Sequence, residues 1–106
     1  MEGSMKKQIV NYLLKRGVKP NYKGFNYVVS ALEYTTQFNQ HIPINTVYNT
    51  VAQQFGITWQ CVERCLRTLI EASWEHMNPP SDHKPTNAEF IAYHTLRLRL
   101  MKRTNL

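Results

Sequence analysis

The chain is poor in acid, in cysteine and in backbone breakers. Seven Asp+Glu stand against 13 Lys+Arg over 106 residues, a formal net charge of +6. A field of that sign favours a polyanionic partner, though many basic proteins bind no nucleic acid. Two cysteines, Cys61 and Cys65, are too few for a disulfide framework, so a reducing cytoplasm is the expected setting. Four Gly and five Pro exclude collagen-like or linker-like composition. No apolar run approaches the roughly 18 residues of a membrane span. No charged-then-apolar leader marks secretion. Between Glu33 and Glu63 there is no Lys, Arg, Asp or Glu at all, yet Thr, Asn and Gln punctuate the stretch, so no membrane segment hides there.

What is present suffices for one core. Apolar residues make up 42% of the chain and aromatic residues 11%, which argues against wholesale disorder, and the length suits a single domain. Met1-Glu2-Gly3-Ser4 precedes a second methionine, Met5, and reads as a cloning remnant; the domain is expected over residues 5–106. From Lys6 a helix carries Ile9, Val10, Tyr12, Leu13 and Leu14, and Gly17 is placed to stop it. Phe25, Val28, Val29, Leu32 and Thr36 share one face of a second helix that fades near Phe38. Val47, Val51 and Phe55 mark a third, ended by Gly56. Thr58 is a plausible N-cap for a fourth, which turns Val62, Cys65, Leu66, Leu69, Ile70 and Ser73 inward. After Asn78-Pro79-Pro80-Ser81-Asp82 breaks the chain, Thr86-Asn87-Ala88-Glu89 is a capping box opening a fifth. Phe90, Ile91 and His94 begin its buried stripe, whereas Leu96 to Leu100 alternates and neither confirms nor excludes helix. The fold class is all-α, a compact domain of five or six helices.

Residues 48–67 fit a helix-turn-helix template. Ala52 supplies the small residue where two helices touch, and Gly56, four later, tolerates a left-handed turn. Val51, Phe55, Ile57, Val62 and Cys65 are expected to hold the helices at their angle. Trp59, Gln60, Glu63, Arg64 and Arg67 then face solvent on the second helix. Arg64 can offer two donors to guanine O6 and N7, and Glu63 can accept from cytosine N4. Gln60 suits adenine or a phosphate, and Arg67, a turn further on, suits the backbone. Thr58 and Trp59 at the helix start join the backbone contacts. The plainer reading is a helical hairpin with a solvated Glu63–Arg67 pair.

These residues resemble a known family. Val62-Glu63-Arg64-Cys65-Leu66-Arg67 with Ile70-Glu71-Ala72 and Trp74 is similar to the recognition helix of the sporulation-initiating response regulator of endospore-forming bacteria. Gly17-Val18, Lys23-Gly24-Phe25 with Tyr27, and Val47-Tyr48 leading to Ala52 and Phe55 match upstream. Lys84-Pro85-Thr86-Asn87-Ala88-Glu89-Phe90-Ile91-Ala92 is nearly the family's terminal block. The resemblance covers about residues 8 to 100 and implies a six-helix effector domain that reads a box with a CG step. By the same resemblance, Glu63 and Arg64 read bases, Gln60 and Arg67 lie at the DNA surface, and Lys23-Gly24 lies near the phosphate backbone. It implies double-stranded DNA as partner, self-association on adjacent boxes, and RNA polymerase as a further candidate partner.

Three departures stand out. Cys61 occupies the place of a base-reading arginine, and a thiol makes no bidentate contact, so either preference is relaxed there or the target differs. The loop Met77 to His83 is shorter than the family's. A receiver domain of roughly 120 residues normally precedes this one and is not in the sequence, which leaves an excised fragment or a stand-alone protein.

Other groups have plainer readings. Cys61 and Cys65 lie four apart, the four histidines lack paired spacing, and neither set points to a metal. Trp59 packs on DNA or covers the core's edge, Trp74 belongs to the core, and His94 reads as a satisfied buried imidazole or a packing residue. Lys6, Lys7, Lys15, Arg16 and Lys19 meet phosphate or are a solvated surface. No nucleophile motif, Gly-rich phosphate loop or defined carboxylate pair supports catalysis, and no cofactor is expected. The competing function is a protein-interaction module pairing with a full-length regulator without specific operator binding.

Overall fold

The computed structural model describes the backbone of residues 2–104 and the side chains of residues 5–102. Five α-helices follow in order: α1 (Glu2–Lys15), α2 (Lys23–Thr35), α3 (Ile44–Phe55), α4 (Trp59–Ser73) and α5 (Asn87–Thr104). A 3₁₀ turn, Trp74–His76, extends α4, and no strand occurs among the described residues. The all-α expectation therefore holds. Helix α1 starts at Glu2, ahead of the expected Lys6, so the leader backbone continues the first helix.

Helix α2 is the centre of the domain and packs against the four others. Its expected face, Phe25, Val28, Val29, Leu32 and Thr36, is buried. So are Gly24, Ser30, Ala31 and Thr35, which lie off that face. A helix enclosed on most sides needs small or partnered residues where its neighbours approach. Ser30 hydrogen-bonds Gln54 of α3, and the Thr35 hydroxyl meets that of Thr95 on α5 at 2.7 Å. The core is completed by Val47 and Val51 of α3 and by Val62, Leu66, Leu69 and Ile70 of α4. Each such side chain contributes about 1.5–3 kcal/mol through burial.

The turn between α3 and α4 forms as its residues dictate. Gly56 has φ 66°, and its N–H and that of Ile57 both reach the Ala52 carbonyl, the second at 3.0 Å. A β-carbon in that left-handed conformation costs about 1–2 kcal/mol. Thr58 then caps α4, its hydroxyl accepting from the Cys61 N–H at 3.2 Å. Two of the expected spacers do not fill that role. Phe55 remains 43% exposed, because the last turn of α3 overhangs α2 and sets its ring edge-on to Tyr27, 4.9 Å between centroids. Cys65 is only half-buried, and Leu66 occupies the core beside it.

The capping box of α5 is complete. The Glu89 N–H donates to the Thr86 hydroxyl at 3.1 Å, and the Glu89 carboxylate accepts from the Thr86 N–H at 2.9 Å. The alternating run that follows stays helical. Leu98 turns inward while Leu96 and Leu100 face solvent. Arg99 reaches back to the Thr35 carbonyl at 2.9 Å and the Gln40 carbonyl at 3.2 Å, closing the C-terminal end of α2.

Candidate nucleic-acid interface

Helix α4 is strongly two-sided. Val62, Leu66, Leu69, Ile70 and Ser73 are buried, while Gln60, Arg64, Arg67, Thr68 and Glu71 are exposed. Gln60, Arg64, Arg67 and Glu71 recur at i, i+4, i+7 and i+11, one ridge of a 3.6-residue repeat. The helix is 15 residues and about 22 Å long, and the ridge from Gln60 to Glu71 covers about 16 Å of it, enough to lie along a major groove.

Charge on the ridge is arranged unevenly. Glu63, at its edge, pairs with Arg67: Nε to Oε2 is 3.4 Å and a second Arg67 nitrogen reaches Oε1 at 3.4 Å. This is the ordinary solvated i,i+4 pair, worth about 0.3–0.5 kcal/mol. Glu71 is engaged by Lys84 at 2.6 Å. Both acids of the outer face are thus neutralised within the domain. Arg64 differs, having neither a hydrogen bond nor an ion pair among the described residues, and its guanidinium keeps its full donor set for an incoming acceptor.

The N-terminal end of α4 is held by aromatic and amide contacts. Trp59 is 46% exposed and stacks on Tyr48 of α3, centroids 6.3 Å apart and planes 15° from parallel. Trp59 therefore covers the edge of Tyr48 and still presents part of its indole to solvent. Asn87, the first residue of α5, donates from one amide nitrogen to the Tyr48 hydroxyl and to the Glu63 carbonyl, each at 3.0 Å. Burial raises the Tyr48 pKa, so the phenol stays neutral. Asn87 thereby ties α3, α4 and α5 together. The sequence reading missed it, and its one signal was its place inside the capping box.

The expected backbone-contact residues lie in two places on one side. Thr58, Trp59 and Arg67 belong to α4 and its start. Lys23 opens α2, where the chain passes closest to α4: a β-carbon on Gly24 would overlap the Cys65 carbonyl oxygen and lie 2.9 Å from its carbon. Gly24 itself is buried at this crossing and carries no side chain to offer a phosphate. Lys23 and Arg64 both act on the Cys65 thiol, so the two cations share a neighbourhood. Burial and then the neighbouring Cys61 raise the Cys65 pKa against that pull, and the thiol stays protonated. Cys61 is half-buried beside it. No trio of His, Cys, Asp and Glu placed for a metal occurs among the described residues.

The arginines of α5 and the end of α1 lie elsewhere. Arg99 sits at the Thr35 end of α2, about 18 Å along the helix from Lys23. Arg97 donates to the Tyr93 hydroxyl at 2.9 Å, and the Arg103 side chain lies outside the described residues. At the end of α1, Arg16 covers the Tyr12 ring at 3.9 Å. His94 is buried, as expected, and its Nδ1 lies 2.7 Å from the Tyr12 hydroxyl.

A glycine-closed turn, a capped second helix and a polar solvent-facing ridge with a free arginine at its middle define the helix-turn-helix class of DNA-binding domain. Residues 9–98 match the family model described as "Sporulation initiation factor Spo0A C terminal", and the chain belongs to that family. It is a DNA-binding effector domain of a sporulation regulator, with double-stranded DNA as partner. No helix among the described residues is long and apolar enough to cross a membrane.

Proposed function

We propose that this domain binds specific duplex sites on its own, inserting α4 into the major groove and acting as a transcription regulator. Gln60, Glu63 and Arg64 are the base readers. Lys23, Thr58, Trp59 and Arg67 anchor the phosphate backbone, joined by the Gly24 N–H. The observation that carries this reading is Arg64, exposed and unpaired at mid-ridge with the neighbouring acids already occupied. A guanidinium in that state reaches guanine O6 and N7 without first breaking a contact. Releasing Glu63 from Arg67 costs only a few tenths of a kcal/mol, after which Glu63 accepts from cytosine and Arg67 turns to phosphate. Cys61 adds no bidentate contact, so preference at its base pair is relaxed.

Two domains on adjacent boxes would meet through apolar surface. Leu96 and Leu100, exposed at i and i+4 on α5, are the candidate contact. A regulator so placed would also stand within reach of RNA polymerase.

A salt titration of the 106-residue chain on two duplexes tests the reading, one with the CG-containing box and one with that box scrambled. For each phosphate neutralised, log K falls with log salt at a slope of about −0.9. The box duplex is expected to bind more tightly by at least about a thousandfold, as specific complexes do. Equal or absent binding would favour the interaction module that pairs with another regulator.

A further inference from the structure

The connection between α4 and α5 roofs a cavity of about 560 Å³ whose walls include Trp74, Met77, Pro79, Phe90, Tyr93 and His94. That volume lies within the range of small-molecule sites. Its walls are largely apolar and aromatic. Asn78, Ser81, Asp82, His83 and Glu89 line its exposed rim, whereas the polar group set among the aromatic walls is His94, only 4% exposed. One ring nitrogen, Nδ1, is taken by Tyr12. The other, Nε2, has no partner among the described residues, and yet it is not sealed in as the Arg99 Nε is. A ring nitrogen at the wall of a largely apolar cavity is a polar anchor within reach of a ligand.

The chemistry of that atom follows from its neighbours. Burial holds the His94 pKa down to about 4, aided by Arg16 and Arg97, so the ring is neutral at neutral pH. Burial also raises the Tyr12 pKa, which keeps the phenol protonated. The other polar group at Tyr12 is Arg16, which can only donate. The Tyr12 hydroxyl proton therefore points to Nδ1, and the imidazole proton resides on Nε2 as a donor into the cavity. Asp82 and Glu89 stand among the lining residues, which disfavours an anion.

We propose that this cavity is a binding site for an uncharged aromatic compound bearing a carbonyl acceptor, with the ring among Trp74, Phe90 and Tyr93 and the acceptor on His94 Nε2–H. The site is separate from the α4 ridge and does not depend on how DNA is read. The probes are 2-acetylnaphthalene and its acceptor-free analogue 2-ethylnaphthalene, titrated into the ¹⁵N-labelled domain and followed by amide and imidazole NMR shifts. Saturable binding of the ketone is expected, with shifts confined to residues around Trp74, Phe90 and His94 and a displaced Nε2–H resonance. The ethyl analogue is expected to bind about 3- to 10-fold more weakly, the effect of one unmade hydrogen bond. Ser81→Trp, at an exposed lining position, should obstruct the cavity and abolish the shifts while leaving the thermal transition in place. The proposal is overturned by equal affinity for the two probes, by shifts on other faces, by shifts that persist in Ser81→Trp, or by no saturable binding of the ketone.

Discussion

Gly24→Ala should destabilise the domain and shift its recognition helix, because the α2–α4 approach leaves no room for a methyl group. The added carbon would meet the carbonyl of Cys65, a backbone group that cannot rotate away, and would lie 3.1 Å from the Leu69 β-carbon. Overpacking of this kind costs about 1–3 kcal/mol, and a rigid obstacle places it toward the upper end. The opposing effect is helix propensity, which favours Ala over Gly by up to about 1 kcal/mol in a helix interior. Gly24 is the second residue of α2, where that gain is smaller. The net loss is about 1–3 kcal/mol, a fall of roughly 5–20 °C in Tm for a domain of this size. Thermal unfolding followed by far-ultraviolet circular dichroism measures it. An unchanged or higher Tm would refute the close approach and with it the position assigned to α4. The variant keeps its backbone N–H, so weakened DNA binding in the folded protein would report displacement of α4 rather than a lost phosphate donor.

Further outcomes follow from the same geometry. Asn87→Ala orphans the Tyr48 hydroxyl and the Glu63 carbonyl and should cost about 1–3 kcal/mol in urea unfolding; a loss below about 0.5 kcal/mol would mean that the three helices do not rely on it. Thr58→Ala removes the cap of α4 and should cost about 1 kcal/mol, with Thr58→Ser restoring it. His94 has a folded pKa of about 4 against an ordinary 6.5, so the unfolded chain binds the extra proton. Its contribution is present above pH ~6.5 and is lost as pH falls toward ~4, about 3 kcal/mol in all. Tm measured across that window should drop in the parent and drop less in His94→Gln.

The local elements were legible because each carries its own chemistry within a few residues. The Thr86–Glu89 box, the glycine at 56 and the cap at 58 need no distant partner to be read, and all three form. The ridge of α4 was equally plain, since Val62, Leu66 and Leu69 alternate with Gln60, Arg64 and Arg67 at helical period. What escaped the sequence depends on neighbours far along the chain. Phe55 obeys the apolar period of α3, yet it is left overhanging Tyr27 because the packing of α2 decides which end of that stripe is covered. Gly24 looked like a phosphate-side glycine, and its closeness to Cys65 emerges only when α2 and α4 cross. Asn87 was the middle of a capping box, and its hold on Tyr48 spans 39 residues. Arg99 stood in the alternating run from Leu96 to Leu100, which left helix undecided, and its guanidinium closes the end of α2, 64 residues away along the chain.

The central claim is that Arg64 touches a base and not merely the sugar–phosphate edge. Binding of the parent and of Arg64→Ala to a panel of duplexes, each with one base pair of the box replaced, measures this directly. The parent should lose about 1–3 kcal/mol on replacement of one guanine–cytosine pair, and Arg64→Ala should lose its discrimination at that pair alone. A uniform loss for Arg64→Ala on every duplex, with discrimination intact, would place Arg64 on phosphate and contradict the account.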